Sequence, residues 1–594
     1  MSIIKSLYDY QVWADSQASD IKPSCAKIEL TYLLRIDHDG NCLGLVDLRD
    51  RQSKKKPGKF YILPAPVTRS GLNAYKTPNL GWDARDYVLG AEKKSGADKE
   101  ELYTISETGR KKAESFASLI ADMSKVLTGA AQMEAQAISA FYLHNGLEAV
   151  RNDPLFADCC SLQSCRMSIV VGKDNDVPFA ARSEVLAYAS QSRIAAQEDQ
   201  NGVPDGAYCR CMVSGDLAPI AVIHPSTPIA GSQATAKLAS WQKDSGYDSH
   251  GKEQGYNAPV SVRAADMYSR AFLHLSKSSE NTLRLGAETC IFWTQPRQPL
   301  MEQFISDVIQ SVSKDKTALR DKLVSIYTYL SDPTTYLAQS TDLCRLYILT
   351  PNRSRIAVRY ERECTIGEVV SALRQHFDDC AVKDSSENVM LSPVNHLFLS
   401  LTLDGKLSKL PQSWYSSYVA SIFDRVQYPI CVYQALIRRI KTEANVPTLW
   451  AGAVRGYLVR SADDMKGSVP MALNDANFDS GYLSGRVFAL VEKCVADNAP
   501  NIASVFGLKH FSQAMAMPGI VLPQILRVYQ RQISNSPYLS RQIDDVMSHL
   551  DHLPLHADLQ CQGEFALGYY QQKQALYRKK SADDSADQTA DSAE

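Results

Sequence analysis

The hydrophobic pattern changes at a short linker, Met465–Pro470, and this change limits the folds open to the chain. Beyond the linker, apolar residues recur at helical spacing almost to the end. The faces they mark are Leu483, Val487, Leu490, Val491 and Cys494, then Leu522, Ile525, Leu526, Tyr529 and Ile533, then Leu539, Ile543, Val546, Met547 and Leu550, and finally Phe565, Tyr569 and Leu576. Prolines separate these segments at Pro500, Pro518, Pro537 and Pro554. The pattern predicts a C-terminal α-helical bundle with short connections.

The residues before the linker alternate between strand and helix signals. Ile4, Leu7, Tyr8 and Val12 share a helical face. Two strand-like runs, 32–36 and 42–46, flank the turn-rich residues 37–41 and predict a hairpin. We expect residues 60–63 to add a third strand to the sheet of this hairpin. Residues 116–126 and the alanine-rich stretch beyond them predict helix. Residues 202–259 indicate either long ordered loops or a boundary between modules.

These patterns predict an α+β protein with a mixed N-terminal and central region and a helical C-terminal bundle. The length of 594 residues suits two to four domains. The expected boundaries are 1–230 for an α+β region, 231–464 for a central α+β region, 465–580 for the bundle, and 581–594 for a tail. The tail has five acidic residues and no large apolar one, so we expect it to be disordered.

Composition favours a globular cytoplasmic protein, with 45% hydrophobic and 22% charged residues. The start lacks a secretory signal pattern, and no apolar run approaches the roughly 18 residues of a membrane span. We expect the 14 cysteines to be mostly reduced thiols that pack in the interior. Zinc is the alternative for Cys159, Cys160, Cys165, Cys209 and Cys211, but their spacing lacks paired Cys-x-x-Cys motifs. No metal and no cofactor is expected.

The net charge of -2 conceals a strongly basic tract from Arg51 to Lys76, which contains no acidic residue. Its basic residues are Arg51, Lys54, Lys55, Lys56, Lys59, Arg69 and Lys76. Lysines and arginines clustered in this way create the positive field that nucleic-acid phosphates require. The tract therefore predicts nucleic-acid contact, with ordinary surface solvation as the alternative.

A second basic pattern lies in residues 351–360. Strand alternation would place Arg353, Arg355 and Arg359 on one face, with Ile356, Val358 and Tyr360 toward the core. Such a face can follow a phosphate backbone or pair with acidic neighbours. The sequence leaves both options open.

Three motifs that resemble enzyme signatures do not meet the chemical requirements of those sites. Residues 246–253 nearly form a phosphate-binding loop, but Glu253 replaces the hydroxyl that should bind magnesium. His38-Asp39 has no companion metal ligands and lies in the predicted turn. Ser484 is out of place for a nucleophile elbow and leads into a helical pattern. We therefore expect no enzymatic activity, although an undetected nuclease is an alternative.

Several separated motifs resemble those of one known family. In chain order they are Tyr61–Pro66 with Arg69-Ser70-Gly71, Pro78-Asn79, Trp82-Asp83, Tyr87–Gly90, Glu253–Ser261, Arg284-Leu285-Gly286, Phe292-Trp293, Leu346–Asn352, Gly481–Arg486 and Leu567–Tyr577. With these motifs the chain resembles the Cas-eight-c family, the Csd-type large subunit of the type I-C CRISPR surveillance complex, Cascade. Ala84 departs from the family pattern, in which Asn is common.

The resemblance implies a non-catalytic subunit of an antiviral complex. It would recognise the protospacer-adjacent motif (PAM) in double-stranded DNA through the 1–230 region, promote unwinding and R-loop formation, support the displaced strand and recruit a helicase-nuclease. The implied partners are guide RNA, target DNA, the backbone and guide-processing subunits, and small subunits, with no membrane. The alternative is a structural protein that binds RNA or an acidic partner through its basic tract.

Within that role the basic residues divide into two groups. The expected phosphate contacts are Arg51, Lys54, Lys55, Lys56, Lys59, Arg353, Arg355 and Arg359, because phosphate contacts need mainly positive charge. The candidates for reading the motif are Arg69, Gly71, Asn73, Lys76 and Asn79. The resemblance also suggests that the bundle, which would resemble a Cascade small subunit, is translated separately from Met465 or Met471, although an ordinary linker explains the two methionines equally well.

Overall fold

The computed structural model describes residues 2–17, 25–51, 57–67, 74–93, 103–189, 208–242, 251–311, 315–411, 413–461 and 469–578. The chain divides into two compact units. The first comprises Met1–Thr227 and Lys237–Phe272, and the second comprises Pro228–Ala236 and Leu273–Glu594. Both contain helices and strands, so the predicted α+β class is confirmed. No helix in the described part of the chain is long and apolar enough to cross a membrane.

The first unit combines short strands with helices. Its helices are α1 (Ile3–Gln17), α2 (Arg85–Val88), α3 (Glu107–Val126), α4 (Gly129–Leu143), α5 (Gly146–Arg151) and α6 (Phe156–Ser161). Its strands are β1 (Cys25–Leu30), β2 (Tyr32–Ile36), β3 (Cys42–Asp47), β4 (Lys59–Pro64), β5 (Trp82–Ala84), β6 (Glu92–Lys93), β7 (Tyr103–Thr104), β8 (Arg166–Val171), β9 (Tyr208–Arg210) and β10 (Leu217–Pro219). Helix α7 (Val262–Lys277) contains the residue at which the division between the units falls.

The main sheet of this unit has the strand order β3-β2-β8-β5. Strands β2 and β3 are antiparallel, with Leu33 opposite Val46, so the predicted hairpin is confirmed. In its turn the Asp37 carboxylate accepts hydrogen bonds from the backbone N–H groups of Asp39 and Asn41. Strand β2 is parallel to β8, and this pair is buried on both faces.

Strand β4 belongs to a different sheet. It pairs with β1 in a two-stranded antiparallel ribbon, in which Ile28 lies opposite Tyr61. The expectation that residues 60–63 extend the hairpin sheet is therefore wrong, although they do form a strand. Pairing with β1 wins because Ile28, Leu30 and Leu63 then bury their side chains together.

The predicted helices of the first unit are present. Helix α1 buries Leu7 and Tyr10, but Val12 is exposed, so the expected apolar face is rotated. Helix α3 begins at Ser106, whose hydroxyl accepts a hydrogen bond from the N–H of Gly109. The helical structure is interrupted after residue 126, because α3 ends at Val126 and α4 starts at Gly129.

The second unit begins with a sheet and becomes wholly helical. Its strands are β11 (Thr282–Leu285), β12 (Glu288–Gln295), β13 (Leu343–Asn352), β14 (Arg355–Thr365), β15 (Val382–Lys383) and β16 (Val389–Met390). Its helices are α8 (Pro299–Gln310), α9 (Lys316–Ser331), α10 (Tyr336–Gln339), α11 (Ile366–Cys380), α12 (Val394–Ser400), α13 (Trp414–Asp424), α14 (Ile430–Glu443), α15 (Thr448–Ser461), α16 (Ser480–Asn498), α17 (Pro500–Ala516), α18 (Pro518–Val528), α19 (Gln530–Ser534), α20 (Pro537–Ser548) and α21 (Leu559–Leu576). Strands β11 to β14 form an antiparallel meander in chain order.

The helical faces predicted for the C-terminal region are buried in one large core, so the predicted bundle is confirmed. Pro500, Pro518 and Pro537 lie in the first turns of α17, α18 and α20, where a missing N–H costs nothing. Helix α17 itself was not predicted. The same core includes residues of α11, α14 and α15, which precede the linker.

Helices α16 and α21 approach each other closely because glycines lie where they meet. A Cβ atom on Gly485 would lie 2.1 Å from the carbonyl oxygen of Phe565, and one on Gly568 would lie 2.2 Å from that of Tyr482. Only glycine permits backbones to approach this closely. The Gly481–Arg486 and Leu567–Tyr577 motifs therefore owe their residue pattern to packing between two helices.

Candidate nucleic-acid interface

The candidate interface is built around the two-stranded ribbon β1–β4 in the first unit. Ala26, Ile28 and Leu30 point inward from β1, and Tyr61 and Leu63 meet them from β4. The opposite face of the ribbon carries the remaining side chains of both strands. Sequence reasoning missed β1, although the alternation of apolar and charged residues along it is a strand signal.

Aromatic and cationic side chains alternate along β4 and its neighbour. Phe60 on the outer face is 52% exposed, and the ammonium group of Lys27 lies 5.4 Å from the centre of its ring. Lys59 is exposed at the start of β4, and its ammonium group lies 5.4 Å from the centre of the Tyr61 ring. Lys59 is therefore accessible from solvent.

The end of the ribbon is held by buried hydrogen bonds. The Trp82 indole N–H donates to the carbonyl of Pro64 over 2.8 Å. Three residues farther along, the N–H of Val67 donates to Oδ1 of Asn79, also over 2.8 Å. The Asp83 carboxylate in turn accepts the N–H of Asn79. Asn79 is only 4% exposed, so its side chain supports the backbone from inside the fold.

Arg51, at the start of the basic tract, belongs to an ion-pair network. Its guanidinium contacts the carboxylates of Asp47 at 2.7 Å and Asp158 at 3.1 Å. Arg49 binds the same two carboxylates, and Tyr32 donates its hydroxyl to Asp158. Burial raises the pKa of Asp47, but hydrogen bonds from Arg49 and Arg51 outweigh it and lower that pKa to about 2. The charge of Arg51 is therefore largely balanced within the fold.

Four of the seven basic residues of the tract lie outside the described residues. The described ranges do not include the expected phosphate contacts Lys54, Lys55 and Lys56 or the motif-reading candidates Arg69, Gly71 and Asn73. They also do not include Met465, one of the two possible translation starts of the bundle. The described residues beside the three lysines are close together, since the N–H of Asp50 donates to the carbonyl of Pro57 over 2.8 Å. Lys76 is exposed in a short 3-10 helix, with its ammonium group 5.8 Å from the centre of the Tyr75 ring.

The second basic pattern does not form the strand face that alternation predicted. Arg353 lies in the turn between β13 and β14, with a left-handed φ of 51°. A bulge between Ile348 and Leu349 then interrupts the pairing opposite Arg359. Because a bulge adds an unpaired residue, alternation does not carry across it. Val358, which precedes the bulge, is 39% exposed rather than buried as expected.

The cysteine cluster of the first unit consists of packed thiols. The sulfur atoms of Cys159 and Cys165 lie 3.4 Å apart, and burial raises the pKa of Cys160 to about 11. No disulfide joins any of the 14 cysteines, all of which lie in the described part of the chain. Cys211 lies elsewhere, where its sulfur accepts the N–H of Ser261. Among the described residues no group of three or more His, Cys, Asp or Glu side chains could hold a metal ion.

The rejected enzyme motifs have structural roles where they are described. His38 and Asp39 are exposed in the hairpin turn. Ser484 is buried in α16, where its hydroxyl donates to the carbonyl of Ser480. Most of the phosphate-loop-like segment, residues 246–250, lies outside the described residues.

A family model for a CRISPR-associated protein, Cas_Csd1, matches residues 7–577 of the 594 in the chain. The chain belongs to the Cas_Csd1 family. The match covers both units and includes the ribbon, the Asn79 support and the helical bundle, so it confirms the Csd-type, CRISPR-associated part of the resemblance drawn from separated motifs. No curated protein matches the chain.

Several motif residues that relate the chain to the Cas_Csd1 family stabilise its interior. Tyr482 donates its hydroxyl to the side chain of Gln571 over 2.6 Å, and Arg486 donates to the side chain of Gln572 over 2.9 Å. All four residues are buried. Buried polar groups need such partners, since an unpaired one costs about 1–3 kcal/mol.

Proposed function

We propose that the chain is the large subunit of a type I-C CRISPR-guided surveillance complex and recognises the protospacer-adjacent motif in double-stranded DNA. The Cas_Csd1 match over residues 7–577 carries this proposal. In such a complex the guide RNA reads the long target by base pairing, so the protein needs to read only a short motif. The proposed role is non-catalytic and requires no cofactor.

The proposed sequence of events begins with motif binding by the N-terminal region. The subunit then promotes unwinding and R-loop formation, supports the displaced strand and recruits the helicase-nuclease. It would act with guide RNA and with the backbone, guide-processing and small subunits. The RNA–DNA heteroduplex is about as stable as the DNA duplex it replaces, so protein contacts to the DNA backbone help to favour R-loop formation.

The basic tract supplies the proposed grip on phosphate. Lys54, Lys55, Lys56 and Lys59 carry four positive charges within six residues, and no acidic residue lies among them. Arg51 contributes less, because Asp47 and Asp158 already bind its guanidinium. We keep the arginines of the β13–β14 hairpin, Arg353, Arg355 and Arg359, as further phosphate contacts, although they do not form one strand face.

Motif reading is assigned to residues 69–79. Arg69, Gly71, Asn73 and Lys76 are the candidates for contact with base edges. The buried side chain of Asn79 binds the N–H of Val67, two residues before Arg69. This hydrogen bond supports a positioning role for Asn79 in addition to, or in place of, base contact.

The test is to replace Lys54, Lys55, Lys56 and Lys59 together by glutamine in the assembled complex and to measure target-DNA affinity over a range of salt concentrations. Each lost phosphate contact should reduce the magnitude of the salt slope by about 0.9. The matched control replaces four exposed lysines that are already paired with carboxylates, Lys111, Lys125, Lys322 and Lys409. It removes the same net charge and should leave the slope nearly unchanged.

Two results would contradict the proposal. An unchanged affinity and salt slope in the first variant would remove the basic tract from the DNA interface and favour an RNA or protein partner. Metal-dependent DNA cleavage by the purified chain, abolished by substitution of an acidic residue, would show that the subunit is an enzyme.

A further inference from the structure

The outer face of the β1–β4 ribbon exposes an aromatic ring that the fold does not use. Phe60 is 52% exposed, although a phenylalanine ring loses favourable burial when it remains in water. The neighbouring cation Lys27 lies 5.4 Å from the ring centre and leaves about half of the side chain accessible. A flat apolar ring flanked by a lysine suits stacking against another flat group that carries no positive charge.

The charge around this ring is positive. Glu29 lies opposite Phe60 in the ribbon, but its carboxylate accepts the N–H of Gly58 over 2.6 Å. Lys27 is exposed, and its ammonium group lies over the Phe60 ring, whereas Lys59 points to the opposite face and lies over the Tyr61 ring. The nearby carboxylate is thus engaged with the backbone, while the Lys27 ammonium group can reach an anion.

The strand that carries the Phe60 ring is held in place by packing on the inner face of the ribbon. The inner face of the ribbon packs Ile28, Leu30 and Leu63 into a small core with Trp82. The Trp82 indole fixes the end of β4 through the carbonyl of Pro64. A preorganised contact loses little conformational entropy on binding, so more of the stacking energy contributes to affinity.

We propose that Phe60 stacks on an unpaired base of the target DNA, and that Lys27 contacts a phosphate beside that base. This inference rests on the proposed DNA-recognition function and identifies the ligand of the ribbon as an unstacked nucleotide. Alternating aromatic and basic groups are the usual means of holding single-stranded nucleic acid, since every base offers a face for stacking. The contact is therefore expected to tolerate any base.

The experiment uses the complete complex with 2-aminopurine placed in turn at each position beside the motif in both DNA strands. Stacking on Phe60 should quench the fluorescence of 2-aminopurine at one of these positions in the wild-type complex. Phe60→Ala should abolish that quenching and weaken target binding roughly 5- to 150-fold, the range for loss of one stacked base. Phe60→Trp should retain both properties, because it keeps an aromatic face.

The matched control is Leu43→Ala, which shortens another exposed apolar side chain on a strand of the same unit. It should leave quenching and affinity unchanged. Lys27→Gln should lower affinity and reduce the salt slope without abolishing the quenching. Co-elution of each variant with the other subunits shows that the complex has assembled.

Each remaining outcome overturns the inference in a distinguishable way. If Phe60→Ala binds target with wild-type affinity and quenching, the stacking inference fails and the DNA-recognition function stands. If Phe60→Ala no longer co-elutes while Leu43→Ala does, Phe60 is a contact to another protein subunit. If the wild-type complex does not bind target DNA, the proposed function fails as well.

Discussion

The side-chain oxygen of Asn79 accepts a hydrogen bond from the backbone N–H of Val67, and the two atoms lie 2.8 Å apart. Asn79 is buried, and its own N–H donates to the Asp83 carboxylate. The two bonds connect the end of the β4 segment to the backbone that enters β5. Asn79 is therefore part of the support for the candidate interface, whatever it contacts in DNA.

Replacing Asn79 by alanine should lower the free energy of unfolding by about 1–3 kcal/mol, because the N–H of Val67 loses its buried acceptor. Urea unfolding of the purified chain measures this change. The control Asn152→Ala alters an exposed asparagine and should stay within about 0.5 kcal/mol of wild type. Equal stability of the two variants would show that the bond to Val67 contributes little.

Motif discrimination gives a separate prediction for Asn73→Ala and Asn79→Ala in the assembled complex. Both should weaken binding to DNA with the correct motif more than binding to DNA with a scrambled motif, because base contacts carry sequence information and phosphate contacts do not. Equilibrium binding to the two duplexes measures the difference. Equal losses on both would refute the motif-reading role.

The close crossing of α16 and α21 predicts that one methyl group added at Gly485 strongly lowers stability. Gly485→Ala should destabilise the second unit by about 1–3 kcal/mol or more, since the new Cβ meets the backbone oxygen of Phe565 at 2.1 Å. Thermal melts followed by circular dichroism measure the change. Gly507→Ala is the matched control in α17, where the nearest atom belongs to the Glu492 side chain at 3.2 Å.

The control should be neutral or stabilising by up to about 1 kcal/mol, because alanine favours helix over glycine and a side chain can move aside. A wild-type melting temperature for Gly485→Ala would mean that the two helices can separate without loss.

Two buried histidines predict that acid destabilises the protein. Burial, with Arg460 nearby, lowers the pKa of His376 to about 3, and burial with Lys237 nearby lowers that of His224 to about 4. The ordinary pKa of 6.5 applies once the chain unfolds. Between pH 6.5 and these lower values the unfolded state binds protons that the folded state does not, so the free energy of unfolding falls as the pH falls.

Each histidine should therefore reduce stability by about 2 kcal/mol between pH 7 and pH 5. Unfolding experiments at the two pH values measure the loss, and His376→Gln should remove the part due to that residue. If the variant loses as much stability as wild type, protonation of His376 does not contribute to acid unfolding.

Elements with local signals could be predicted from the amino-acid sequence. The β2–β3 hairpin follows from two alternating strands beside a turn, and Leu483, Ile543 and Phe565 mark helices whose buried faces can be read from spacing. The family was also accessible, because its motifs occur in order along the chain. Such signals depend on residues a few positions apart.

Contacts between segments that are distant in the chain required the folded structure. Arg51 reads as a free cation in sequence, but it binds Asp158, which lies 107 positions away. Burial of Asn79, the bulge opposite Arg359 and the pairing of β4 with β1 likewise depend on partners that local periodicity does not specify. Charge and spacing determine what a side chain can do, whereas packing between distant segments decides which of its groups remain accessible.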